Sequence, residues 1–318
     1  MNVLLWHVHG PWTASFVRGR HSYLLPTTPL RDDDGLGFGG YDWSATARQV
    51  PAADLRHEDV DVVVLQRPHE RYLARDWLGR DDVPMIYVEH GAPTGDVPDT
   101  RHPMADEPGI TIVHVTRFNR LMWDNGQAHT VIIEPGVADP GARCTGEIPH
   151  AAAVVDEPIK RGRATGTDLL PGFTEAAPLD VFGLRTDGLA KYLGVPGDRL
   201  TSTDLPPAQL HEELAKRRVY LHPARWTSPG LPLLEAMHLA MPVVALDTAG
   251  VREVVPPEAG VISTDPAELR RALADMIADP GRAREAGLAA REAALRRYGL
   301  QRFLDDWDRL LGEAAVRP

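Results

Sequence analysis

Short apolar runs alternate along the chain with polar, helix-forming stretches. Residues 3–8 and 59–66 (DVDVVVLQ) begin the series, and VPMIYVEH, GITIVHVT and HTVIIEPG continue it up to Gly136. Each run is rich in Val and Ile and ends on a polar residue or a Gly/Pro signal, as a strand buried on both faces does. Residues 70–78 and 117–123, between such runs, suit helices. Buried strands alternating with helices predict a parallel α/β sheet. Residues 138–150 then carry Pro, Gly and charges without periodicity, which predicts an interdomain linker. The pattern restarts with AAAVVD, PLDVFGL, RVYLHP, MPVVALD and AGVIS, interleaved with helical stretches at 207–217 and 231–239. Three amphipathic helices follow, at 266–277, 281–297 and 300–311. The expectation is two α/β domains, 1–143 and 151–298, facing across a cleft, with a closing segment 299–318. In such sheets ligands sit at the carboxyl ends of the strands, so functional residues belong just after each run.

Composition narrows the class. The chain has 318 residues, enough for two domains, with 43% hydrophobic and 25% charged residues, as in a soluble globular enzyme. A formal charge of −11 argues against a nucleic-acid binder while leaving room for a local basic pocket. Arginine far outnumbers lysine, and prolines are many, a bias that fits a GC-rich bacterial genome. The lone cysteine, Cys144, excludes a disulfide framework within the chain and a zinc site built on several thiolates. The start MNVLLWHVHG is too short an apolar run for a signal peptide, and no stretch of about 18 apolar residues occurs. A cytoplasmic protein without a transmembrane segment is expected.

The strand ends are rich in histidine: His7, His9, His90, His114 and His222, with Asp247. Three roles are open to them: metal ligation of the kind that His7 and His9 could begin, lining of a cleft, or bonding to a neighbouring loop. GLGFGG (35–40) has dinucleotide-fingerprint spacing but follows no predicted strand, so a mobile loop is expected. RDDDG (31–35) reads as a solvated turn. HEELA (211–215) lacks the second histidine of a zinc motif. The stretch TSPGLPLLEAM (227–237) is more specific. Pro232 suits the first position of a helix, and Gly230 lets the backbone approach a ligand. The amides near Gly230 and Leu231 would form an anion site aided by the helix dipole. Glu235, one turn into an otherwise apolar helix, either complements the dipole or faces a polar cleft, where a carboxylate can accept from two vicinal ribose hydroxyls.

GLPLLEAMHLAMPVVALDTAGVREVV resembles the donor-binding segment of retaining glycosyltransferases of family 4, which have the GT-B fold. IVHVTRFNRLMWDNGQAHTVIIEPGVAD is similar to the end of that family's acceptor domain, and IYVEHG to its histidine-glycine loop. The likeness spans roughly residues 85–265. It implies two Rossmann-like domains, the last helix, with Trp307, Leu310 and Leu311, returning to the first. It further implies a nucleotide-diphosphate sugar donor held without a metal, any other cofactor or an enzymic nucleophile. Of the family's acidic pair, Glu235 matches the ribose-binding member, while Thr227 stands at the other position. Lys160, Arg161 and Arg163 supply cations after the first strand of the donor domain, although Thr165 replaces the family's lysine. The resemblance thus assigns Arg161, Arg163 and His90 to catalysis. Lys160, Thr227, Ser228, Gly230, Leu231 and Glu235 go to the donor, and His9, Gly10 and Trp12 to the acceptor, where the Trp12 indole could stack on a sugar. The acceptor itself, a sugar, lipid or natural product, stays unidentified. Alternatives are a degenerate GT-B protein that binds the nucleotide sugar without transferring it, and a metal hydrolase using His7 and His9.

Overall fold

Runs of Val and Leu without polar alternation bury both faces, and the computed structural model, which describes residues 1–226 and 228–316, places them at the centres of two parallel sheets. One unit comprises Met1–Gly136 together with the segment from Leu300 onward; the other is Val137–Gly299. The first holds β1 (Asn2–Leu5), β2 (Ser22–Thr27), β3 (Ala47–Pro51), β4 (Val62–Leu65), β5 (Met85–Glu89), β6 (Thr111–His114) and β7 (Thr130–Ile132), in the order β3-β2-β1-β4-β5-β6-β7. Leu4 of β1 lies opposite Leu24 on one side and Val63 on the other, each pairing parallel. Its helices are α1 (Gly10–Phe16), α2 (Glu70–Leu78) and α3 (Arg117–Met122).

The second unit contains β8 (Ile148–Val154), β9 (Leu179–Phe182), β10 (Leu200–Thr203), β11 (Arg217–His222), β12 (Val243–Leu246) and β13 (Gly260–Ser263), ordered β10-β9-β8-β11-β12-β13. Its helices are α4 (Pro158–Arg161), α5 (Leu170–Ala176), α6 (Leu189–Leu193), α7 (Pro207–Lys216), α8 (Gly230–His238), α9 (Val251–Val254), α10 (Pro266–Ala278) and α11 (Pro280–Arg297). Strand alternation divides the core into two layers. Ala152, Tyr220 and Val243 face Leu233 and Met237 of α8 and Ala290 of α11, whereas Ala151, Val219 and Val244 face Phe173 of α5 and Leu273 of α10. Both terminal helices of this unit start the same way. Asp265 and Asp279 cap the amides of Ala267 and Arg282, with proline at the first helical position.

The segment read as a linker, 138–150, is part of the second unit. Cys144 N donates to Leu239 O (2.9 Å), Thr145 N to Ala215 O (2.8 Å), and β8 already begins at Ile148. Irregular backbone pinned in this way has no side-chain periodicity to announce it. The change of unit falls at Gly136/Val137, not near 143. The last helix, α12 (Leu300–Val316), belongs to the first unit. Its buried Trp307 packs edge-on to Trp12 and Phe16, and Arg302 donates to the carbonyls of Glu134 and Pro135 (2.8 and 2.7 Å).

In each sheet the strand order reverses beside the first strand, between β1 and β4 and between β8 and β11. Neighbouring loops there leave in opposite directions and open a crevice at the carboxyl edge, the place where open α/β sheets bind ligands.

Candidate functional site

At the β8/β11 reversal two loops are laced together. The amides of Arg225 and Trp226, after β11, both donate to Ala164 O (2.9 and 3.1 Å), in the loop after β8. Gly166 makes this approach possible. Its φ is +75°, and a Cβ there would lie 2.0 Å from Pro223 O. Thr165 is buried, its hydroxyl bonded to Gly162 O (3.0 Å) and to the Thr167 hydroxyl (2.9 Å), so it serves the loop's own structure. The three expected cations are all exposed on the same segment after β8, Lys160 and Arg161 at the end of α4 and Arg163 in the turn that follows. Lys160 reaches Glu157 (3.1 Å), and Arg163 pairs with Asp168 (2.8 Å), which Arg225 also grips (2.5 Å). Arg161 makes no side-chain hydrogen bond or ion pair among the described residues, which leaves its charge available.

α8 rises from the loop after β11. It starts at Gly230, with φ +74° and an exposed backbone, so Pro232 occupies the third helical position and not the first. Among the described residues no side chain caps the helix. First-turn amides have no acceptor within a helix, so those of Gly230 and Leu231 point their partial positive charge outward. Ser228 is half-buried beside them; Thr227 lies outside the described residues. Glu235 is 15% exposed, with Oε2 at 3.4 Å from Nε2 of His211 on α7. HEELA, no metal motif, thus contributes a neighbour to this carboxylate. Of the other strand-end residues, His222 is buried, which depresses its pKa to about 4, and Asp247 pairs with Arg252.

At the β1/β4 reversal the expected His9, Gly10, Trp12 and His90 come together, joined by residues that sequence reasoning missed. The rings of His9 and His90 lie 3.9 Å apart, and Trp12 meets His90 edge-on at 5.1 Å. His90 Nε2 is 2.9 Å from Gln66 Oε1. The next residue, Arg67, donates to Glu70 (2.7 Å), whose fully buried carboxylate also accepts from the amides of Gln66 and Arg67. Burial, followed by the charge of His9, holds the His90 pKa well below its ordinary value. His9 keeps an exposed edge; partial desolvation and then the Arg67 charge push it down to about 4. Both rings are neutral at pH 7. Gln66 closes the apolar run 59–66, and a polar residue at a strand end was the available signal.

Trp12 corrects one expectation. Its indole is 2% exposed, stacked on Phe16 and enclosed by Phe303 and Trp307, so it has no free face for a sugar and instead walls in His90. Gly10 lies under the Tyr41 ring, which would be 2.2 Å from a Cβ at that position. The glycine-rich loop packs over His7. Gly37 O is 3.0 Å from His7 Nδ1, and Phe38 stacks on Trp43, itself 4.9 Å from the His7 ring. His7 and His9 thus have different neighbours. Among the described residues no group of three or more His, Cys, Asp or Glu side chains could hold a metal ion. His114 is buried and bonds Asn125 (2.8 Å), a structural role. Asp34, of the acidic turn, pairs with His69 (2.8 Å) and Arg67 (3.1 Å).

Residues 187–293 match the family described as Glycosyl transferases group 1. Among solved structures the whole chain is similar to sucrose-phosphate synthase from Thermosynechococcus elongatus, with a TM-score of 0.73 and 15% identity over 98% of both chains. It is also similar to HepE of Anabaena in complex with UDP and glucose, at a TM-score of 0.70 and 12% identity over 98% of this chain and 100% of that one. The chain has the GT-B fold, with a glycosyl transferases group 1 domain at residues 187–293. A curated relative, alpha-maltose-1-phosphate synthase of Mycolicibacterium smegmatis, is 34% identical over 103 residues. That match covers 30% of this chain, which spans about a quarter (27%) of the relative's length.

Within the group 1 domain fall His211, Ser228, Gly230, Leu231 and Glu235, the whole α8 side of the crevice. Lys160, Arg161 and Arg163 precede it, and the laced loops around Gly166 bring their segment to its edge.

Proposed function

We propose that this chain is a glycosyltransferase that moves a sugar from a nucleotide-diphosphate sugar to a hydroxyl-bearing acceptor, with retention at the anomeric carbon and without a metal. One observation carries the reading: Glu235, one turn into helix α8, stands inside the group 1 domain at the reversal of strand order. Its carboxylate would accept from the ribose hydroxyls, and the amides of Gly230 and Leu231 would face the diphosphate. As the nucleotide departs, negative charge grows on the diphosphate. Arg161, the unengaged cation, would stabilise it there, with Lys160 and Arg163 released from their carboxylate partners. UDP and glucose in the HepE complex support a donor of this chemistry. Among the described residues no helix is long and apolar enough to cross a membrane, and we place the reaction in the cytoplasm.

The test is a thermal-shift screen of UDP, GDP, ADP and dTDP and their sugars, followed by nucleotide release with EDTA present. A ligand at 100 times its Kd stabilises by about 2.7 kcal/mol, a readable rise in Tm. Anomeric proton NMR of the product reports retention. If no nucleotide raises Tm, the reading fails. A second reading, binding without transfer, draws on buried Thr165 and on the pairing of Lys160 and Arg163 with carboxylates. Donor binding without nucleotide release under any acceptor would favour it.

A further inference from the structure

Gln66 is buried at the carboxyl end of β4, and both ends of its amide are engaged. Nε2 donates to Trp6 O at 2.7 Å. A main-chain carbonyl only accepts, so the amide can take one orientation, and Oε1 is thereby turned toward His90 Nε2, 2.9 Å away. An amide oxygen only accepts as well. The single proton of the neutral His90 ring therefore sits on Nε2, and Nδ1 carries the lone pair. The backbone of Gln66 is clamped too: its amide donates to Glu70 Oε2 (2.6 Å), and its carbonyl accepts from the Tyr87 hydroxyl (3.3 Å). His9 and Trp12 hold the His90 ring in place, and among the described residues no protein group bonds to Nδ1.

We propose that Gln66 is a positioning residue that fixes His90 as the Nε2–H tautomer, so that the ring offers Nδ1 as a hydrogen-bond acceptor to a hydroxyl of a bound sugar. A neutral ring with an outward lone pair repels a phosphate oxygen and welcomes an O–H. His90 thus selects the sugar and not the diphosphate. The tautomer follows from the hydrogen-bond geometry once the buried ring is neutral; its use on a sugar hydroxyl rests on the transferase reading.

The full chain labelled with ¹⁵N-histidine, observed by two-bond ¹⁵N–¹H correlation at pH 7, decides the tautomer. His90→Gln identifies the His90 signals by their loss. The parent is expected to show protonated Nε2 and unprotonated Nδ1 at His90. Gln66→Glu keeps an acceptor and should preserve that form; Gln66→Met removes it and should give a mixture. His114, whose own Nε2 faces Asn125, serves as an internal control for the fold. An Nδ1–H signal for His90 in the parent, or an unchanged preference in Gln66→Met, overturns the proposal. Should Gln66→Met fail to fold, the parent and Gln66→Glu spectra still decide. UDP-glucose, then GDP-, ADP- and dTDP-glucose, are added as probes. The one that raises Tm should shift Nδ1 and not Nε2, and an unmoved Nδ1 under saturating probe overturns the sugar contact. Spectra as expected with no probe raising Tm would leave the tautomer standing and sink the transferase reading.

Discussion

Replacing Glu235 with alanine asks what the carboxylate in α8 holds. One of its oxygens lies 3.4 Å from His211, and the other makes no protein hydrogen bond among the described residues, so the group has acceptor capacity left for two vicinal hydroxyls. Two charge-assisted bonds to ribose, lost together, cost on the order of 2–4 kcal/mol, or about 30- to 1,000-fold in affinity. The competing role is local. A carboxylate near a helix start contributes about 0.3–1 kcal/mol through the dipole, and the long, mostly buried pair with His211 adds about 0–1 kcal/mol. Those terms belong to stability and would appear in Tm, not in binding. Calorimetry of the parent and Glu235→Ala with the nucleoside diphosphate that most raises Tm separates the two. Glu235→Gln, which keeps shape and one acceptor while losing the charge, should fall between them. Equal affinity of Glu235→Ala and parent would refute the ribose assignment and, with it, the donor site.

Other expectations follow from packing and charge. Gly166→Ala forces a side chain into a left-handed backbone and onto Pro223 O, and should destabilise by about 2–4 kcal/mol in urea unfolding. A loss within 0.5 kcal/mol would mean the two loops are not tightly laced. Trp307→Ala should cost about 3–5 kcal/mol, read as earlier unfolding of the first unit, whose aromatic core it completes. Asp180 is buried, which raises its pKa, yet Thr201, Arg217 and His150 together outweigh that and leave it lowered. Its contribution to stability is therefore complete above the unfolded value near pH 4 and is lost as pH falls through the lower folded value. Asp180→Asn should be less stable than the parent at pH 7 and show a flatter acid limb; parallel curves of stability against pH would contradict this.

How much of this was legible depended on where the information lay. β4, β6 and β12 are buried on both faces, and their uniform Val and Ile runs announce them. β2 was missed because Pro26 interrupts its pattern, β3 because Arg48 and Gln49 are exposed on an edge strand, and β10 because LTST is polar. Segment 138–150 is tied down through its backbone, which side-chain periodicity cannot report. The start of α8 was readable to within a residue from its glycine and lone acid, although Pro232 falls at its third position and not its first. Trp12 was not. Its burial depends on Phe303 and Trp307, almost 300 residues away in the chain. Arg163 has the same difficulty: a cation looks available in sequence until Asp168 is seen beside it.

The return of α12 to the first unit sets an order of assembly during synthesis. The unit Val137–Gly299 is continuous and can mature on the ribosome as it emerges. The first unit, though begun earlier, lacks Phe303 and Trp307 while all of that intervening chain is made, roughly 8–30 s at bacterial and eukaryotic elongation rates. Throughout that interval Trp12 and Phe16, stacked on each other, lack the Trp307 indole that packs edge-on to both, so nascent first units are the species that expose apolar surface. The unit that begins the chain is thus the last to receive all of its core.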